Sequence, residues 1–190
     1  LAQHGATLLD NGYHIVPIRQ GGKSPNFDGW SAAKASKQQL NDWLEHGHRN
    51  DGVGILTKYT PAIDIDVLDD EFAALLTSYV RSKFGAKMIR IGKAPKTMFF
   101  FRTDTPFRKR RTTVREDDLG SPALIEVLGD GQQAVAFHLH PNTGKPYTWP
   151  VDGQNPLEIR AADLPTITQE QIDDLFAFYE KEADRREWSI

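Results

Sequence analysis

The spacing of apolar and polar positions along the chain predicts short helices and strands in mixed order. Leu1–Asn11 carries a short amphipathic helical pattern, stopped by Asn11-Gly12. His14–Ile18 is a predicted strand, and Gln20–Trp30 a loop rich in Gly, Lys and Pro. Ser36 stands as the N-cap of a helix whose stripe is Leu40, Trp43 and Leu44, running to about His46. Val53–Thr57 and Pro61–Val67 are predicted strands, joined as a hairpin around Lys58-Tyr59-Thr60. Asp69 caps the next helix. Phe72, Leu75, Leu76, Tyr79 and Val80 form its apolar face, and Gly85 ends it.

In the second half, Met88–Ile91, Thr97–Arg102, Ala123–Leu128 and Gln133–His138 have strand patterns. Gly129-Asp130-Gly131 predicts a tight turn between antiparallel strands. A turn at Pro141–Gly144 leads to a short strand at Pro146–Trp149. Asp104–Pro122 and Val151–Asn155 are expected as long polar loops. Thr168–Trp188 is a closing helix with Ile172, Leu175, Phe176 and Tyr179 on one face. This mixture predicts an α+β fold, with a mixed, mostly antiparallel sheet flanked by helices rather than a doubly wound one.

One strand breaks its own apolar character. In Ala62-Ile63-Asp64-Ile65-Asp66-Val67 the isoleucines and valine share one face and the two acids the other. Two residues of strand separate the acids by about 6.5–7 Å at the backbone. Their side chains can converge on one divalent ion or flank a pair about 3.5–4 Å apart, the arrangement used for in-line displacement at phosphorus. A solvated strand face gives the same alternation. However, Asp is a poor strand former, and two Asp on one face repel unless a cation intervenes. Glu126 repeats the pattern in Ala123–Leu128, sharing a face with Leu124 and Leu128. It is either a third carboxylate for Mg²⁺ or Mn²⁺ or the partner of an arginine.

Composition narrows the classes. The 190 residues are 39% hydrophobic, with ten Phe and four Trp, enough for a substantial core. The absence of cysteine excludes disulfides and thiolate metal sites, and fits a reducing compartment. No run is apolar enough to span a bilayer, and no signal peptide is evident. The first residue is Leu1 rather than Met, as expected of an excised domain. The net charge of −3 gives no general affinity for nucleic acid, so basic charge must act locally.

That charge falls in two places. Arg90, Lys93 and Lys96 surround Gly92 and suit a triphosphate, while Arg108-Lys109-Arg110-Arg111 suits a nucleic-acid backbone or forms a solvated charge run. His138 and His140 are spaced for a metal, but the carboxylates favour harder ions. Packing accounts for at least one of the two, which leaves His140 to meet a phosphate or sugar. His46 and His48 lie at a helix end. Gly21-Gly22-Lys23-Ser24 is not a P-loop, because Pro17 stands where its first glycine is required. Lys23 is therefore expected in a solvated turn, the alternative being that it serves a substrate from that loop.

In this order, the pieces resemble the bifunctional primase/polymerase domain of the archaeo-eukaryotic primase superfamily, as found in phages, prophages and plasmids. The resemblance rests on Gly12-Tyr13 with Val16-Pro17, Lys23-x-Pro25 leading to Gly29-Trp30, Gly52-Val53-Gly54 and Ile63-Asp64-Ile65-Asp66. It continues through Arg90-x-Gly92-Lys93-Ala94-Pro95-Lys96, Ile125-Glu126-Val127-x-Gly129-x-Gly131-Gln132 and His140-Pro141-x-Thr143-Gly144-x-Pro146-Tyr147-x-Trp149.

The resemblance implies a primase-like fold with an RRM-like catalytic core. Residues 1–150 would form the catalytic domain. Residues 151–190 would form a C-terminal loop and helix packed on or extending it, towards a helicase domain on the same full-length chain. It implies a template-directed nucleotidyltransferase, a DNA primase or polymerase in a bacterial or phage-infected cytoplasm. Asp64, Asp66 and Glu126 would hold two Mg²⁺ or Mn²⁺ ions. Nucleotides would be added to a 3′-hydroxyl with release of pyrophosphate. Arg90, Lys93, Lys96 and His140 would contact the dNTP or NTP, and Arg108, Lys109, Arg110 and Arg111 the single-stranded or primed DNA template.

The chain departs from the superfamily at its second motif, a small hydroxyl residue, any residue, then histidine. Thr97 fits, but Phe99 stands at the histidine position. Either Lys93 and Lys96 take over the triphosphate contact, or His140 reaches it from another strand. A non-catalytic replication-initiation or single-strand-binding module and a two-metal nuclease are the alternatives.

Overall fold

The computed structural model describes all 190 residues. Two antiparallel sheets form its frame. The smaller has the order β1-β2-β9, from Ile15–Ile18, Gly52–Leu56 and Gln133–Phe137. The larger runs β4-β5-β3-β8-β6, from Met88–Arg90, Thr97–Phe100, Ala62–Asp66, Pro122–Leu128 and Arg110–Arg111, and β7 (Arg115–Glu116) also pairs with β8. Helices α1 (Gly5–Asp10), α2 (Lys37–Glu45), α3 (Asp70–Phe84) and α4 (Gln169–Arg185) flank them. This is the α+β, antiparallel architecture expected from the sequence.

The caps explain where the helices begin. Ser36, Asp69 and Thr168 each accept a hydrogen bond from a backbone N–H three residues on, which satisfies an otherwise orphaned donor. Thr168 and Gln171 form a reciprocal capping box. Gly85, in the left-handed region, closes α3. The first helix is shorter than the sequence pattern indicates, starting only at Gly5.

Period-two alternation divides the larger sheet between two cores. Ile63, Ile65, Phe99, Ile125 and Val127 face α3 and α4, where they meet Phe72, Leu76, Val80, Ile172, Leu175 and Tyr179. Ala62, Met88, Met98, Phe100 and Leu128 face the other way, against Ile15, Val53, Ile55, Ala134 and Ala136 of the smaller sheet. The larger sheet is thus covered by helices on one face and by the second sheet on part of the other. Tyr179 of α4 donates to the Ala123 carbonyl at 2.6 Å, and Arg115 bonds Glu180, Asp184 and the Trp188 carbonyl. The C-terminal helix is therefore packed into the same core as the strands.

Four local expectations are corrected. Val53–Thr57 and Pro61–Val67 do not form a hairpin. β2 is paired on both edges by β1 and β9, and β3 by β5 and β8, so neither has an edge left for the other. The short link instead passes the chain between sheets, and the Thr60 hydroxyl bonds the Leu56 carbonyl at 2.9 Å. The turn at Gly129–Gly131 likewise joins β8 to β9 in the other sheet. The polar stretch Asp104–Pro122 is not simply a loop, because β6 and β7 lie in it and pair along β8. Pro146–Trp149 makes only isolated bridges, Ile91 to Thr148 and Leu139 to Pro146.

Candidate functional site

The inter-sheet face of the larger sheet changes character along its strands. Behind lie Ala62, Phe100 and Leu128; ahead lie Asp64, Asp66, Glu126 and Arg90, which line a cleft of about 350 Å³. Register produces this grouping. Asp64 pairs directly with Glu126 on β8 and with Met98 on β5. Asp66, two residues along β3, shares their face. Glu126, far along the chain from the Asp64–Asp66 pair, therefore lines one cleft with them.

Lysines reach two of them. Lys96 Nζ lies 2.6 Å from Asp66 Oδ1, and Lys109 Nζ lies 2.6 Å from Glu126 Oε2. The side chains do not form a ready cage, for no three potential metal ligands converge closely enough to hold an ion. The donor set nevertheless suits a hard divalent cation, being carboxylate oxygen throughout. Burial pushes the Asp64 carboxyl up to about 6; Arg90 opposes this, while Asp66 and Glu126 add to it. Such a concentration of like charge favours a cation.

Arg90 forms part of the cleft wall. Its guanidinium donates to the Val135 carbonyl and stacks 4.6 Å from the centre of the Tyr147 ring, and its Nε has no partner. Gly92 makes this packing feasible: a Cβ there would lie 2.6 Å from Tyr147 Cε1 and 2.9 Å from His140 Cδ2. His140 is buried and lines the cleft. Its Nδ1 accepts from the Asn142 N–H at 3.1 Å. Burial lowers its pKa, as do the neighbouring charges of Lys23, Arg90, Lys93 and Lys96. His138 instead bonds the Arg19 carbonyl at 2.9 Å and packs over Gly52, so the two histidines do not act as a pair.

The second-motif departure acquires a structural reason. Phe99 lies on the helix face of β5, buried among the α3 and α4 contacts, so a side chain at that position cannot reach the cleft. Thr97 directs its hydroxyl to Thr77 of α3 at 2.9 Å. Met98 of β5, opposite Asp64, and Lys96, just before the strand and paired with Asp66, face the acids instead.

The basic run 108–111 is split by the same alternation. Lys109 meets Glu126, and register puts Arg111 opposite Glu126 on that face. Arg110 turns to α4, bonding Gln169 and Asp173 and stacking over Phe176. Arg108 and Arg111 remain exposed. Sequence reasoning favoured a solvated turn for Lys23 over a substrate role and gave Gln133 and Tyr147 none, yet all three line the cleft. The Lys23-x-Pro25 and Pro146-Tyr147 pairs were the available signals, but neither has a periodicity that aims a side chain.

The family model for the bifunctional DNA primase/polymerase N-terminal domain matches residues 6–167. No curated protein matches the chain. No helix is long and apolar enough to cross a membrane.

Proposed function

Because the chain belongs to the bifunctional DNA primase/polymerase family, we propose that it is a template-directed nucleotidyltransferase that uses Asp64, Asp66 and Glu126 as its carboxylate centre. The observation that carries this reading is the direct pairing of Asp64 with Glu126, with Asp66 on the same face and a cationic wall across the cleft. Magnesium or manganese held by these acids would supply activation of the attacking hydroxyl and charge neutralisation at the departing pyrophosphate.

The chain's own residues orient the nucleotide. Arg90, anchored on Val135 and Tyr147, presents a preorganised positive charge beside Asp64. Lys93, Lys96 and His140 face the same space and serve the triphosphate. Lys109, just before β6, and Arg111, on the acid side of β6, lead the template strand towards the cleft. Arg108 extends that exposed track, whereas Arg110 is engaged by α4.

The test is an extension assay on labelled primed and unprimed single-stranded DNA, with Mg²⁺ or Mn²⁺ and either dNTPs or NTPs. The wild type extends. The Asp64→Ala/Asp66→Ala variant folds and retains DNA binding but does not extend. Extension by that variant would refute the carboxylate mechanism, and strand degradation without nucleotide would point to a nuclease.

A further inference from the structure

The cations around the cleft are not equivalent. Lys96 and Lys109 are paired with Asp66 and Glu126, and Arg90 is tied to Val135 and Tyr147. Lys23 and Lys93 also line the cleft, but pair with no carboxylate. Lys23 arrives from the smaller sheet, on the turn that follows β1, and that turn is held at both ends. Arg19 N–H donates to the Ser24 carbonyl at 2.8 Å, Gln133 Nε2 donates to the Lys23 carbonyl at 2.8 Å, and His138 bonds the Arg19 carbonyl at 2.9 Å. The backbone of Lys23 is thus fixed while its ammonium stays uncommitted.

His140 completes the group. Because its Nδ1 accepts the Asn142 N–H, the proton of the neutral ring resides on Nε2, which has no partner within the chain. Lys23 lines the same cleft as His140, Asp64 and Asp66, and its charge acts on the His140 ring. The acids occupy the larger-sheet side; Lys23 and His140 come from segments attached to the smaller sheet.

We propose that Lys23, with Lys93 and His140, forms the subsite for the terminal phosphate of the incoming nucleoside triphosphate. This rests on the nucleotidyl-transfer reading. With the α-phosphate beside the carboxylates, the remaining phosphates extend away from them. The terminal group, which carries the largest charge, then meets donors that no protein acceptor has already engaged. A grip on this group makes the site select triphosphates over diphosphates and hold the leaving pyrophosphate in line.

Titration calorimetry of the full chain with dATP, dADP and dAMP in Mg²⁺, without template, tests this. Wild type binds dATP at least about ten-fold more tightly than dADP, and Lys23→Met loses about ten-fold in dATP affinity while dADP affinity is unchanged. Lys23→Arg keeps most of the preference, and matching thermal melts confirm that the exposed loop variants fold. Equal losses for dATP and dADP, or no loss for either, would overturn the assignment of Lys23. A wild type that binds no nucleotide would instead overturn the nucleotidyl-transfer reading on which it rests.

Discussion

Asp64 and Glu126 stand directly opposite each other across the antiparallel β3–β8 pair. Opposed like charges on neighbouring strands destabilise a sheet, and burial compounds the effect at Asp64. The arrangement costs stability to create a site, which makes the site visible in stability measurements.

Asp64→Asn should therefore stabilise the metal-free protein at neutral pH. The Asp64 carboxyl lies at about 6 against an ordinary 3.8, so its ionised form is disfavoured in the fold. At 1.36 kcal/mol per pKa unit the gain is at most about 3 kcal/mol. Thermal melts with and without Mn²⁺ should show a raised Tm without metal and a loss of the metal-induced shift. A lowered Tm would contradict the argument.

The two sides of β6 should separate on substitution. Lys109→Met removes the cation on Glu126 and should alter extension and its metal requirement. Arg110→Met breaks a partly exposed ion pair with Asp173 and should cost only about 0–1 kcal/mol while leaving extension intact. Extension rates across a manganese titration, with urea melts of both variants, would show whether the division holds.

Gly129→Ala should destabilise the fold by about 1–3 kcal/mol, as overpacking does. A Cβ at this position would lie 2.0 Å from the Phe107 carbonyl oxygen, a backbone atom that no rotamer change can move. The displaced segment is the one that delivers Lys109 to Glu126. Urea denaturation should report the loss, and a neutral result would mean that the 107–111 segment shifts freely.

Acid should loosen the attachment of α4. Burial would raise the Glu180 carboxyl, but hydrogen bonds from Thr113 and Arg115 outweigh it and leave the group below its ordinary 4.5. A depressed folded pKa gives stability that is present above the unfolded value and lost as pH falls through the folded one. Stability should therefore decline below about pH 4.5, and Glu180→Gln should remove that part of the slope. Chemical denaturation between pH 3 and 7 would measure both.

Much of this was legible in the sequence because local physics decides it. Ser36, Asp69 and Thr168 are caps because short polar side chains satisfy nearby N–H groups, and Asp64 and Asp66 share a face because strands alternate with period two. The α+β class follows from the same patterns. Strand pairing is different, since it depends on which edges are already filled. Nothing within Val53–Val67 shows that β2 and β3 belong to separate sheets, because their neighbours come from elsewhere in the chain.

The sequence by itself determined the elements, the paired acids and the local basic charge, each through short-range geometry and residue chemistry. Only the tertiary structure decided that Glu126 faces Asp64, that Phe99 turns away from the cleft, that Arg110 is diverted to α4, and that Lys23 enters from the opposite sheet. Register and the packing of two sheets set these relationships, and both arise from contacts between residues far apart in the chain.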